Sequence, residues 1–336
     1  MTVVGPFGLS VRDQALEADV QAGMAAVEAG LLEATKSEVS FITDAAQHLL
    51  KAGGKRLRPL LVMLAAQFGD PDAPGIVPSG VVVELTHLAT LYHDDVMDEA
   101  EVRRGVPSAN ARWDNSVAVL TGDCLFARAS HILADLGPEA VRVQAEAFER
   151  LVTGQIMETA GPRDGRDPVD HYLDVLGGKT GSLIAVAGRF GAMMSGADER
   201  VVDILTQYGE RLGVAFQLAD DVLDIASDSH ESGKTPGTDL RESVPTLPVL
   251  LLRDRARREE RPEDLALVAL LDSDLTDDAR HAEALAAMRA HPALEQARRE
   301  TVRYAEEARA ALTPLRECSA KSALVELCDA VVHRAG

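Results

Sequence analysis

Lysine is scarce in this chain: six of its 34 basic residues are Lys, and the other 28 are Arg. Cysteine is scarcer still. Cys124, Cys318 and Cys328 are an odd number with no CxxC spacing, which argues against a disulfide framework and against a cysteine zinc site. Positive charge is in deficit overall. The formal net charge of −20 counts against nucleic acid as a partner. It also means that an anionic substrate must be met by metal ions or by local basic clusters. No alternating β-branched segment is long enough to build a sheet, and no stretch approaches the 18 apolar residues of a membrane span. The first residues, Met1-Thr-Val-Val-Gly-Pro-Phe7, lack the basic segment and apolar run of a signal peptide. A reduced, cytoplasmic protein is the expectation.

What is present is helical. Hydrophobic residues make up 46% of the chain and charged residues 26%, enough for a large core under an ordinary soluble surface. The periodicity predicts helices near 10–33, 38–52, 56–68, 76–98, 115–136, 138–160, 168–195, 198–226, 245–254, 262–290 and 293–334 with breaks. Gly53-Gly54, Gly69-Asp-Pro71, Gly137-Pro138, Gly161-Pro162 and Gly196 fall where helices should stop. Without a low-complexity linker, the simplest architecture is one all-α domain over 1–336, a large helical bundle with 1–34 as an N-terminal helical segment.

Two copies of one acidic pattern stand out: Asp94-Asp95-Val-Met-Asp98 and Asp220-Asp221-Val-Leu-Asp224. Each closes an apolar helical stretch. Residues four apart stack on a helix, so Asp94 lies with Asp98 and Asp220 with Asp224. Like charges at that spacing oppose the helix by roughly 0.2–0.5 kcal/mol per pair, and burying them unpaired costs far more. Cations between the carboxylates remove the conflict, and an all-oxygen set suits magnesium, which shares substrate phosphates. With 29 Asp in 336 residues, one copy would mean little, and two solvated acidic faces are the alternative. The helices are expected to face each other across a central cavity, with 99–107 and 227–243 as lid loops. Three of the six lysines sit beside glycine, in Gly53-Gly-Lys-Arg-Leu-Arg-Pro59, Gly177-Gly-Lys-Thr-Gly181 and Gly233-Lys-Thr-Pro-Gly237. A compact point charge on an open backbone is what a phosphate site uses.

Taken in order, Gly53–Pro59, His87, Asp94–Asp98, Arg103-Arg-Gly105, Gly178-Lys-Thr180, Phe216–Asp224 and Gly233–Asp239 resemble the trans-isoprenyl diphosphate synthases from about residue 35 onward, and the bacterial medium- and long-chain polyprenyl synthases in particular. The resemblance implies the all-α isoprenoid synthase fold around a deep cavity, usually as a homodimer. It implies head-to-tail 1′–4 condensation of isopentenyl diphosphate onto an allylic diphosphate such as farnesyl or geranylgeranyl diphosphate. Asp94, Asp98 and Asp220 look like direct Mg2+ ligands, with Asp95, Asp221 and Asp224 acting directly or through water, about three ions per site. Arg103, Lys179 and Lys234 look like ligands of the allylic diphosphate; Lys55, Arg58, His87 and Arg104 look like the isopentenyl diphosphate cradle. Thr180 and Gln217 can aim oxygen dipoles at the allylic cation, and the released diphosphate can take the proton.

Product length is read from the helix before Asp94. Ala89 and Thr90, five and four residues upstream, are small, so the upper cavity is expected to be open. From Asp94 back to Ile76 is 18 residues, about 27 Å, which spans five or six isoprene units of about 4–5 Å. A polyprenyl diphosphate of C30 or longer, a quinone side-chain precursor, is the expectation, with peripheral membrane contact at product release. Phe126 could impose a floor, which makes a C20 product the alternative. Other readings have features against them. Taken alone, His87 reads as a core histidine, and only its place seven residues before Asp94 makes it a ligand. Arg103-Arg104 could be a solvated pair, and His93 beside Asp94 suggests a phosphohydrolase doublet. A terpene cyclase would not repeat the Asp pattern or carry Gly53–Pro59, and a non-catalytic subunit of a hetero-oligomeric synthase would tend to lose the Asp clusters.

Overall fold

The structure is a computed structural model that describes residues 3–4, 9–10, 13–227 and 236–335. Strands β1 (Val3–Val4) and β2 (Leu9–Ser10) pair antiparallel at the start. Then come α1 (Gln14–Ala34), α2 (Ser40–Lys51), α3 (Leu57–Ala66) and α4 (Ile76–Met97). A second antiparallel pair, β3 (Val102–Arg103) and β4 (Val106–Pro107), precedes α5 (Ala109–Arg112), α6 (Asn115–Leu136) and α7 (Pro138–Ala160). A π-helical turn, Gly177–Gly181, separates α8 (Pro168–Leu176) from α9 (Ser182–Met194), and α10 (Glu199–Ala226) follows. The chain ends in α11 (Thr238–Arg241), α12 (Leu247–Glu259), α13 (Pro262–Leu271), α14 (Asp278–Ala290), α15 (Pro292–Ala311) and α16 (Ser319–Ala335). The all-α expectation is met, and every strand among the described residues is two residues long.

Two compact units share the chain: residues 1–149, 183–209 and 311–327 in one, and 150–182, 210–310 and 328–336 in the other. In the first, α4 is the central element and packs against α1, α3 and α6. It is apolar on nearly every face because it is surrounded. Small residues let its neighbours close in: a Cβ on Gly80 would come within 2.7 Å of Val27, and one on Gly122 of α6 within 3.1 Å of the Ala89 carbonyl. In the second unit, α12 packs on α8 and α13, and α14 on α11 and α13.

Helix α6 departs from the sequence expectation. It is long and apolar enough to cross a membrane by length and composition, with a mean hydropathy of 1.3 and one third of that stretch (33%) buried. One side packs on α4, whereas Val119 and Leu120 on it are exposed. The stretch 99–107, expected as a lid loop, contains the β3–β4 hairpin and is braced by Ala100, whose carbonyl accepts from the Ser108 hydroxyl and from Asn110 (3.1 Å).

Tyr92 ties α4 to α2. Its hydroxyl donates to the Ala45 carbonyl (2.5 Å) and accepts from the Leu49 N–H (3.2 Å), so it is inserted between a helical donor and its own i−4 acceptor. Burial drives its pKa up to about 12. In Tyr92→Phe, α2 can close that hydrogen bond itself, so the expected loss is about 1 kcal/mol by denaturant titration; a loss above about 3 kcal/mol would mean the ring rather than the hydroxyl had been disturbed.

Candidate active site

The first acidic motif closes α4. Asp94 is half-buried and Asp98 exposed at the C-terminal end, whereas Asp95, turned toward the core, is fully buried. Burial raises the Asp95 pKa, and the Arg103 guanidinium opposes it, with Nε donating to Oδ1 at 2.6 Å. The other oxygen, Oδ2, has no partner among the described residues. The hairpin delivers that arginine. Its two loop residues, Arg104 and Gly105, both have positive φ (54° and 76°), which suits a two-residue turn between twisted strands. Arg103 is therefore sent to the acidic motif, and Arg104 points away from it to the Leu49 carbonyl (2.9 Å) and to the Gly53 carbonyl.

Arg104 enters a basic pocket built on a buried acid. Glu84, 1% exposed, accepts from Arg56 Nη1 at 2.9 Å and lies 4.0 Å from Arg104 Nη2. Arg56, in the left-handed region (φ 49°), also binds Glu28 (2.5 Å) and the Leu50 and Gly53 carbonyls. Gly54 makes the crowding feasible, because a Cβ there would lie 2.9 Å from both the Arg104 and the Arg56 guanidinium. Arg58 sits in the same cluster. Burial, with Arg104 adding to it against Glu84, brings its pKa down to about 10, and its Nε has no partner among the described residues. A buried, unsatisfied guanidinium N–H is the donor a phosphate oxygen fits. His87 belongs to this cluster and Lys55 is exposed at its edge. The expected cradle of Lys55, Arg58, His87 and Arg104 is thus in one unit; Arg56 and Glu84 were not anticipated.

In the second unit each aspartate of the second motif has its own partner. Arg334 Nη2 donates to Asp220 (2.6 Å), and its guanidinium lies 4.8 Å from the centre of the Phe216 ring. Asp224 accepts from the backbone N–H groups of Thr238 (3.2 Å) and Asp239 (3.1 Å) at the start of α11. Asp221, 2% exposed, accepts from the Tyr172 hydroxyl at 2.6 Å. Burial pushes its pKa up to about 7 against hydrogen bonds from Tyr172, Gln217 and the Leu247 N–H.

Lys179 and Thr180 lie in the π turn, a local widening that recurs at functional sites. Glycine makes room for it: a Cβ on Gly154 would meet the Lys179 nitrogen at 2.9 Å, and one on Gly178 the Arg150 carbonyl at 2.9 Å. Lys179 pairs with Glu158 of α7, and the Thr180 hydroxyl lies 3.5 Å from Gln217 Oε1. The sequence reading missed Tyr172, Glu158 and Arg334. Lys234 lies outside the described residues. Ala89 is fully buried, and half-buried Thr90 turns its hydroxyl back to the His87 carbonyl (2.8 Å), so both positions are small. The Phe126 ring lies against those of His93 (5.7 Å) and Phe148 (4.6 Å), tilted by 58° and 56°.

The donors fit magnesium by chemistry. They are carboxylate oxygens, and among the described residues no three His, Cys, Asp or Glu side chains converge into a protein-only cage. Such a set suits a hard cation that keeps waters and takes its remaining ligands from substrate phosphates.

His87 supplies a pH test. Burial first, and then Arg58, Arg104, Arg56 and Arg103, hold its pKa well below 6.5. Below pH 6.5 the unfolded chain binds a proton that the native protein refuses, so stability falls as the pH drops. One such group costs about 1 kcal/mol between pH 6.5 and 5.5. Denaturation of His87→Gln across that interval is expected to lack this loss.

The polyprenyl synthetase family model matches residues 39–288. A nonaprenyl diphosphate synthase of Mycobacterium tuberculosis is 48% identical over 98% of this chain and 97% of its own length. Among solved structures, a geranylgeranyl pyrophosphate synthase from Corynebacterium glutamicum complexed with calcium and isoprenyl diphosphate is 45% identical, with a TM-score of 0.87 over 98% of this chain and 100% of that one. A decaprenyl diphosphate synthase from Rhodobacter capsulatus is 37% identical, with a TM-score of 0.85 over 96% and 99%. The chain belongs to the polyprenyl synthetase family and is a trans-isoprenyl diphosphate synthase.

Proposed function

We propose that the chain is an all-trans polyprenyl diphosphate synthase, which condenses isopentenyl diphosphate onto an allylic diphosphate in a Mg2+-dependent 1′–4 reaction to a product of C30 or longer. The observation that carries it is the buried arginine pocket around Glu84, with an unsatisfied Arg58 Nε, joined through the Arg103–Arg104 hairpin to the carboxylates of α4. One anion site and one metal-binding edge on adjoining elements suit a substrate diphosphate beside a metal-bound one. Bound magnesium would neutralise the diphosphate that leaves as the allylic C–O bond breaks. Asp94, Asp98 and Asp220 would hold it directly, and Asp224 directly or through water; Asp95 and Asp221 would act from behind. Arg103, Lys179 and Lys234 would bind the allylic diphosphate. Lys55, Arg58, His87 and Arg104 would hold isopentenyl diphosphate with its double bond toward the cation, and the released diphosphate would take the proton.

The small side chains of Ala89 and Thr90 and the nonaprenyl relative support a long product. The geranylgeranyl synthase of similar identity supports C20 as the second reading. The exposed apolar side of α6, with Val119 and Leu120, favours a second copy of the chain as its cover and so a homodimer. The free cysteines fit the cytoplasm, and the one domain of 1–336 would act as a whole, with peripheral membrane contact only at product release.

The purified chain, given magnesium, isopentenyl diphosphate and farnesyl diphosphate, is expected to yield C30 or longer by mass; a C20 product would leave the chemistry and overturn the length. Ala89→Phe is expected to shorten the product by at least one unit. Asp94→Ala and Asp220→Ala should lower turnover by several orders of magnitude with unchanged melting temperature, and near-normal rates would remove these residues from the metal site.

A further inference from the structure

We infer that Tyr172 is a positioning residue for the cationic half of the reaction: through Asp221 it fixes the Gln217 carboxamide with its oxygen turned toward Thr180 and the developing allylic carbocation. The inference rests on the function proposed above and deepens it.

Gln217 and Asp221 are one helical turn apart on α10, the spacing at which an amide and a carboxylate meet. An ionised carboxylate can only accept hydrogen bonds. The Thr180 hydroxyl lies 3.5 Å from Gln217 Oε1, so the oxygen faces Thr180 and the end of Gln217 that bonds Asp221 is its NH2 group. A flipped amide would set Oε1 against the carboxylate and lose that bond. Asp221 is in turn held by donors from separate elements: the Tyr172 hydroxyl of α8 at 2.6 Å and the Leu247 N–H at the start of α12. It is 2% exposed, so water cannot readily replace a lost donor. The path Tyr172–Asp221–Gln217–Thr180 thus decides which pole of the amide faces the substrate. A dipole fixed before reaction stabilises developing charge without reorganising. This also gives the second residue of the second acidic motif a task other than holding metal.

The test uses the full chain with magnesium and two unreactive probes, read by calorimetry. One is an allylic thiolodiphosphate with a neutral tail. The other is a diphosphate analogue carrying a protonated tertiary amine at the branched carbon, which imitates the cation. Tyr172→Phe is expected to weaken the ammonium probe on the order of 10-fold and to leave the neutral probe within about 2-fold. It should lower kcat with little change in the KM for isopentenyl diphosphate. Asp221→Asn, whose amide can donate to a flipped Gln217, should repeat the selective loss at an unchanged melting temperature. In a Gln217→Ala background, Tyr172→Phe should add nothing further. Equal weakening of both probes, no weakening of either, or independent losses in the Gln217→Ala background would overturn the inference. If the unaltered chain binds neither probe, the proposed function itself fails and the inference with it.

Discussion

Like charge crowded into small spaces is the constraint on which the rest of this structure depends. Arg56, Arg58 and Arg104 converge on a single buried carboxylate, Glu84. Buried cations are tolerated when paired and costly when not, and this cluster is left with more positive charge than it can balance internally. Glu28 takes up part of the Arg56 charge from outside the pocket. The remainder is not balanced within the pocket, and Arg58 Nε has no hydrogen-bond partner among the described residues. On the function proposed above, a diphosphate would supply the missing negative charge, and the cost of assembling the pocket would become selectivity for that ligand. The acidic edge of α4 has the opposite sign and the same logic, and divalent cations would balance it on the function proposed above.

Holding such groups together takes backbone that ordinary helices do not provide. Arg56 and Arg104 both occupy the left-handed region, where a non-glycine residue costs of order 1–2 kcal/mol. Each offsets that cost with several hydrogen bonds to carbonyls and carboxylates. The glycines next to them serve proximity, as the 2.9 Å approaches to Gly54 require. Around Lys179, close approach of Gly154 and Gly178 lets the π turn lie against α7. In both places the chain gives up regular geometry where a charged side chain has to be aimed.

Much of this was legible in the sequence, for reasons of range. Helix ends are local matters: α6 and α7 run over 115–136 and 138–160 as expected, because Gly137 (φ 102°) and Pro138 separate them. Charged residues beside glycine are also local, and they mark the basic pocket. What escaped depends on partners far along the chain. The π turn widens, without ending, the helix expected from 168 to 195, and a hairpin forms within a stretch expected as a loop. Tyr172 and Glu158 carry no local sign of their importance, since their partners are 49 and 21 residues away. Glu84 could have been found. A lone carboxylate within the apolar run from Val81 to Tyr92 has to be paired if it is buried, and the arginines of Arg56–Arg58 were the candidates.

The repeated acidic motif also divides its labour for a geometric reason. Successive helical residues are turned by about 100°, so if the first and fifth aspartates share an outward face, the second has to point elsewhere. In both motifs it points inward: Asp95 is fully buried and Asp221 nearly so. Each then needs an interior donor, and the two units answer differently. Asp95 receives a guanidinium that the hairpin can aim from outside, whereas Asp221 receives a phenol from α8 that holds it without adding charge. On the function proposed above, a cation at Asp95 would be compatible with a neighbouring diphosphate, because Arg103 would bridge acid and substrate. A cation at Asp221 would lie one turn from Gln217 and oppose a carbocation there. On the function proposed above, the neutral Tyr172 donor would hold Asp221 without placing a further positive charge beside a cationic intermediate.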